Sequence, residues 1–366
     1  MSLRTDQIHS ETSHDSHIQG LDLFQRQIFT RFHDLSVVDP NELLSISWIN
    51  KLLDAFTACH EDFQVILTSN KALLSKPPSD RLATEFFDRS IKAMDIFNAT
   101  RDGLETIRVW QKHLEIVLSA LDSKQRMIGE GHFRRARKAL MDLALVMLDD
   151  KETGSVLSQR HRSFGRKGKD HIRRSSGHSR SLSWSVSHSW SASKQLQSIA
   201  SNLVPPRTNE IASTNGIALL VFSMSFVLMF VLWALVASIP CQDRGVQILF
   251  TIPRNFSWST PLFLLQSRIL DESKKRDRRN SSGLLKEIYQ IEKLVNQITE
   301  LVDSAQFPLS EEMKEEVKEK VQELSLVCEV CKNGLDPLER RLREVFRKVM
   351  NCRTGGLELL GKATET

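Results

Sequence analysis

The chain is predicted to be all-α: helical bundles, one long apolar helix that is a candidate transmembrane helix, and a disordered Ser/Arg-rich linker. Three observations predict this. Apolar residues recur at steps of three and four through most of the 366 residues, the spacing that gathers them on one helix face. Glycine (15), proline (10) and tyrosine (1) are sparse, which argues against a turn-rich all-β fold. The segment from Ile217 to Ile239 contains no charged residue.

Taken in order, residues 1–20 are expected to be a disordered tail, polar and rich in His and Ser. It lacks the apolar core of a signal peptide, and Met1-Ser2 does not fit the myristoylation pattern. Residues 21–150 read as an N-terminal helical bundle. Leu44, Trp48, Leu52, Phe56, Cys59, Phe63 and Ile66 fall on one helical face. Pro77-Pro78 interrupts, and Asp80 is suited to cap the next helix. That helix carries Leu82, Phe86, Phe87, Ile91, Met94 and Phe97, with a break expected at Gly103. The stripe then resumes through Leu104, Ile107, Trp110, Leu114, Val117 and Leu121. Gly129 and Gly131 break the pattern again before a shorter helix with Phe133, Ala136, Leu140, Leu143 and Met147. Short loops between such helices suggest an antiparallel bundle.

Residues 151–201 are different in kind, because Ser alternates with Arg and Lys and no apolar stripe precedes Leu182. Such a segment cannot bury enough surface to offset its ordering entropy, so a disordered linker is expected. Its scattered cations could attract anionic lipid. Ser175 and Ser181, each after an arginine, are candidate phosphorylation sites whose added charge would weaken that attraction. Nucleic-acid binding is disfavoured, since no folded aromatic platform accompanies the charge.

Residues 217–239 are long enough to cross a bilayer core, at about 1.5 Å per residue. Length and absence of charge favour a membrane span; the alternative is a helix buried all round in a soluble bundle. A single span would put the helices before and after it on opposite sides, where they could not share a core. Orientation is weakly encoded, with Arg207 on one side and Arg244 and Arg254 on the other. The basic linker inclines the N-terminal bundle towards the cytosol. Residues 240–280 read as a juxtamembrane segment in which Phe256 and Trp258 sit either at the membrane interface or in a loop over the bundle. Asn255-Phe256-Ser257 and Asn280-Ser281-Ser282 match the glycosylation pattern, which is frequent by chance.

Residues 281–352 read as a C-terminal helical unit. Leu284, Ile288, Ile291, Leu294, Ile298 and Leu301 form a coiled-coil-like seam. Ser310 caps a second helix with Met313, Val317, Val321, Leu324 and Cys328, which is expected to stop at Asn333-Gly334. Asp336-Pro337 then opens a third with Leu338, Leu342, Val345 and Val349.

No chemical motif emerges. The five cysteines are too few and too scattered for a disulfide framework, which points to a reducing compartment. Cys328 and Cys331 form a CxxC inside a helix, with no second pair for zinc. Cys241, beside the apolar segment, fits palmitoylation, with a plain thiol as the alternative. His60, Glu61 and Asp62 adjoin in sequence but point to different helix faces. Phosphate loops, nucleophile elbows and HExxH are absent. No catalytic, cofactor-binding or metal-binding residue is therefore assigned, and an enzyme with a small-molecule substrate is not expected.

Several runs resemble the BYPASS-related and ROH proteins of plants. They are WALVASIPCQDRG (233–245), IPRNFSW (252–258), ESKKR (272–276), GLLKEI (283–288), LLSISWI (43–49) and IRVWQKH (107–113), within a similarity from Phe24 to Leu360. The resemblance implies a non-enzymatic protein with no cofactor. ROH-like members are associated with the exocyst, the tether of secretory vesicles. That implies a helical protein partner, an exocyst subunit, and a role in polarised secretion or cell-wall and mucilage deposition. BYPASS-like members are tied to development and to restraint of a root-derived mobile signal. The leading expectation is a membrane-associated helical adaptor with a single pass through the plasma membrane or an endomembrane and most of the chain cytosolic. Its rival is a soluble cytosolic regulator with residues 217–239 buried in the bundle.

Overall fold

The computed structural model describes residues 3–122, 129–152, 191–240, 250–275 and 283–364, and among these every regular element is an α-helix. The helices are α1 (Leu3–Ser36), α2 (Ile46–Ser69), α3 (Lys71–Leu74), α4 (Ser79–Leu121), α5 (Glu130–Glu152), α6 (Ala192–Ser201), α7 (Thr208–Ser213), α8 (Ile217–Ser238), α9 (Ser259–Lys275), α10 (Lys286–Ser304) and α11 (Glu311–Thr364). The protein is all-α, as its periodicity predicts.

Helix α8 lies at the centre, and every residue along it except Leu219 is buried. Helices α2, α4 and α6 lie directly against it. Helix α1 reaches it through Phe32, whose ring meets Phe230 edge-on at 5.9 Å. The remaining side is closed by the segment before α9. There Phe250, Phe256 and Trp258 lie over Phe222, Phe226, Phe230 and Trp233, with Trp258 5.1 Å from Phe226. Of the two readings for these aromatics, the structure takes the loop over the bundle.

The expected stripes form the sheath. Trp48, Leu52, Phe56, Cys59 and Phe63 of α2 are buried, as are Phe86, Phe87, Phe97, Leu104, Ile107, Trp110, Leu114, Val117 and Leu121 of α4. Ile91 is the exception and turns towards solvent. Ser45 caps α2 by accepting the Trp48 N–H at 3.0 Å. Helix α1 begins at Leu3, and its packed stripe starts at Leu21 and continues through Phe24, Ile28, Phe32 and Leu35.

Three boundaries differ from the sequence reading. The Ser/Arg-rich stretch expected to be linker to residue 201 gives way to α6 at Ala192, where Ala192, Leu196 and Ile199 form a short buried stripe against α4 and α8. Residues 153–190 of that linker, Cys241 and the Asn280-Ser281-Ser282 pattern lie outside the described residues. Helix α4 runs unbroken through Gly103, whose missing side chain admits a neighbour: a Cβ there would stand 2.2 Å from the Pro240 carbonyl oxygen. Helix α11 likewise passes through Gly334 and Pro337 without stopping. A proline inside a helix costs about 3 kcal/mol. Leu335, Leu338 and Leu342 on either side are each essentially buried, at about 1.5–3 kcal/mol apiece, and outweigh it. Gly334 brings α11 against α2, since a Cβ there would be 2.8 Å from the Ile46 side chain.

Helix α11 joins the C-terminal helices to the N-terminal ones. It runs parallel to α2, with Gly334 beside Ile46, Arg341 paired with Asp54 at 2.6 Å and Lys348 paired with Glu61. It runs antiparallel to α4, where Arg108 meets Asp336 (2.7 Å) and Glu339 (2.8 Å), and Gly356 lies on the Phe87 ring. Helix α5 turns back along α4 and touches α10, where Arg137 bonds Asp303 and the Val302 carbonyl, each at 2.8 Å. The buried residues of both halves form one continuous cluster.

The glycine contacts give a direct test. Gly103→Ala is expected to lower the thermal midpoint, because the methyl group must displace the turn after α8. Gly355→Ala, in open space on α11, is expected to raise stability by up to about 1 kcal/mol through helix propensity. Melting curves of the two variants should move in opposite directions.

Candidate functional site

Helix α8 carries three serines among its apolar side chains, and one of them, Ser223, is met by polar groups of the surrounding elements. Ser223 faces α1 and the start of α9. Its hydroxyl accepts from Gln25 Nε2 at 2.9 Å and from Trp258 Nε1 at 3.3 Å, and Trp258 Nε1 also donates to Gln25 Oε1 at 2.6 Å. All three residues are buried. Unmade, such bonds leave buried polar groups that cost about 1–3 kcal/mol each, so this clasp fixes the rotation of α8 against α1. Sequence reasoning missed it. The signal was Gln25, a polar residue beside the Leu21, Phe24 and Ile28 stripe.

Both ends of α8 are tied by neighbouring chain. At its start, Thr214 Oγ1 accepts the Ala218 N–H at 3.1 Å, and Gly216 takes φ +86° against Leu21. At its end, the Leu284 and Leu285 N–H groups donate to the Ala237 and Ser238 carbonyls, each at 2.9 Å. These carbonyls would otherwise lack a partner, as the last ones of any helix do. Gly283, at φ +89°, allows the approach, since a Cβ would lie 2.4 Å from the Ser238 oxygen. The same segment continues to α2: the Lys286 N–H donates to the Leu44 carbonyl at 2.9 Å, and Glu287 accepts the Ile46 N–H at 3.0 Å. Burial raises the Glu287 carboxyl above its usual range, while its backbone bonds and Lys286 pull the other way. A carboxylate there also suits the positive end of α2.

The residues singled out for possible chemistry are dispersed. His60, Glu61 and Asp62 part company: Glu61 pairs with Lys348, Asp62 with Arg31 at 2.7 Å, and His60 turns inward between Phe56 and Phe63. Cys331 is buried and Cys328 half-buried; burial pushes their thiols up to about 12 and about 11. Cys59 is raised to about 11 by burial despite Arg31 at 3.4 Å, and Cys352 to about 12. Thiols held this high are protonated at neutral pH and are poor nucleophiles and ligands. Among the described residues, no group of three His, Cys, Asp or Glu side chains is placed to hold a metal.

A family model described as "Protein ROH1-like" matches residues 1–360. The chain belongs to the ROH1-like family. It is 53% identical to Protein ROH1D of Arabidopsis thaliana over 348 residues, covering 93% of this chain and 88% of that protein. It is 34% identical to Protein ROH1A of the same plant, covering 99% of this chain and 95% of that one. No solved structure matches. Four of the runs that carry the family resemblance lie at or beside the clasped helix. Residues 233–240 end α8, residues 283–288 tie that end to α2, residues 252–258 cover its flank, and residues 43–49 open α2.

His60 makes the ROH1-like core pH-sensitive. Its ring is 1% exposed, neither nitrogen has a hydrogen-bond partner, and its pKa is pushed down to about 4 by burial and then by Lys348, against an opposing pull from Glu61. The unfolded chain takes up this proton near pH 6.5, the folded one only near 4. The His60 contribution is therefore absent above about pH 7 and lowers stability as pH drops between those values, by up to roughly 3 kcal/mol. Denaturant titrations at pH 7 and pH 4.5 should show His60→Phe losing less stability on acidification than the parent chain.

Proposed function

We propose that this ROH1-like protein is a non-enzymatic helical adaptor, that α8 serves as its core helix, and that any membrane location is peripheral. The observation that carries this reading is the sheath around α8. Helices from before and after it are joined in one core, and the Gln25–Ser223–Trp258 clasp is matched to one of its three serines. The partner we propose is a helical subunit of the exocyst, which family membership favours, and the process is polarised secretion or cell-wall deposition. A developmental role of the BYPASS type fits the same architecture. A bilayer span is the second reading, favoured because α8 is the one helix among the described residues long and apolar enough to cross a membrane.

Carbonate extraction of membranes from cells expressing the tagged chain separates the two. A core helix releases the protein into the wash, whereas a span retains it in the pellet with one terminus shielded from protease. Ser223→Ala adds a second readout. Leaving Gln25 Nε2 without its acceptor, while Trp258 keeps its bond to Gln25 Oε1, should lower the melting point of the soluble protein by an amount equivalent to about 1–3 kcal/mol; in a span it would be silent. Affinity capture with the full chain should recover an exocyst subunit, and its absence would overturn the partner.

A further inference from the structure

Two outward stripes on this chain share one spacing and carry opposite charge. On α5, Arg134, Lys138, Met141 and Leu145 step four, three, four along the face opposite the buried Phe133, Ala136, Leu140 and Leu143. On α11, Glu319, Glu323, Leu326 and Val330 step four, three, four along the face opposite the buried Val317, Leu324 and Cys331. Met141, Leu145, Leu326 and Val330 are 62%, 61%, 63% and 53% exposed, and on each helix the two lie one turn apart on the same face. The surroundings extend the contrast. From Glu311 to Val330, α11 holds seven acidic residues against three lysines; from Glu130 to Met147, α5 holds four basic residues against two acidic.

We infer that the two stripes are halves of one interface and that the occupant of each is a second copy of this chain. Laid parallel, they bring Arg134 to Glu319, Lys138 to Glu323, Met141 to Leu326 and Leu145 to Val330. That is two charge pairs followed by two apolar pairs, the arrangement that fixes register between helices. The stripes of one molecule cannot meet each other, because α5 and α11 both spend their inner faces on α4 and α10. Both helices run antiparallel to α4 and hence parallel to each other. A two-fold axis along their common direction therefore sets α5 of each copy against α11 of the other, and the contact closes as a dimer. Local pairs do not block it: Arg134 bonds Glu130 in the open, and half-buried Lys320 bonds the exposed carboxylates of Glu323 and Glu319, all within one helix turn, where such pairs contribute little. This inference is independent of the exocyst proposal, which needs neither stripe.

The test is the solution mass of the full chain by sedimentation equilibrium, with circular dichroism confirming equal helicity in every variant. The parent chain is expected at twice the monomer mass. R134E/K138E and E319K/E323K should each sediment as monomers, since each opposes like charges at both contacts. An equimolar mixture of the two should recover the double mass, because every contact in the mixed pair is again opposite in sign. The recovery also shows that neither variant has lost its fold. A parent chain that stays monomeric, variants that remain dimeric, or a mixture that stays monomeric would overturn the inference. M141Q/V330Q, which keeps all charges, should also weaken the dimer, and an unchanged mass would count against the apolar half of the contact.

Discussion

A helix of 22 residues without a charged side chain has no face that it can show to water, and the whole molecule is arranged around that constraint. Water must be excluded on every side, so α8 needs neighbours from all around, and no single hairpin can provide them. The chain solves this with segments far apart in sequence: α1, α2 and α4 from before α8, and residues 250–258 from after it. The helix ends impose a second demand, because buried carbonyls without partners are costly. The Leu284 and Leu285 amides meet it, which obliges the chain to return to the end of α8 before α10 begins. Burial of one helix thus dictates the path of the chain on either side.

From that return the remaining order follows. Lys286 and Glu287, next along, engage Leu44 and Ile46, so the end of α8 and the start of α2 are held by four consecutive residues, Leu284 to Glu287. Helix α11 then lies along α2 and α4 at once. Its ion pairs with Asp54, Glu61 and Arg108 are partly exposed and each contributes little. Their value lies in register, since they repeat along α2 at the same heptad-like interval as Gly334 and Ile46. The close approaches at Gly103, Gly334 and Gly356 set the distances, and the ion pairs set the sliding position.

Much of this fold was legible in the sequence because helical stripes are local: Trp48 to Phe63, Phe86 to Leu121 and Phe133 to Leu143 announce their own buried faces. What the sequence hid was the meaning of its interruptions. Gly103, Gly334 and Pro337 look like stops when judged by propensity alone. The structure keeps the helices whole, because tertiary burial on both sides outweighs a local penalty of about 1–3 kcal/mol. Gln25 and Ser223 were equally hidden, 198 positions apart and each unremarkable until the other is opposite. Ala192 to Ile199 was masked by the Ser-rich composition around it, although three apolar residues at helical spacing suffice when a groove awaits them. No catalytic site was read from the sequence, and the polar residues that matter here are those that hold α8.

Opening the sheath around α8 carries a physical cost on several surfaces at once. To give α8 to lipid, the molecule would have to open along α1, α2, α4 and the aromatic segment together, since all of them meet on the same buried surface. Each would then present its own apolar stripe to water, at about 25 cal/mol for every Å² uncovered, and Gln25 and Trp258 would lose their partners. Lipid compensates the apolar surface of α8 alone and does nothing for the stripes left behind. A partial withdrawal of the helix therefore gains on one surface and loses on several. In the structure α8 is the centre of a closed sheath, and on the core-helix reading proposed above recognition of other molecules would fall to the outer faces of the helices around it.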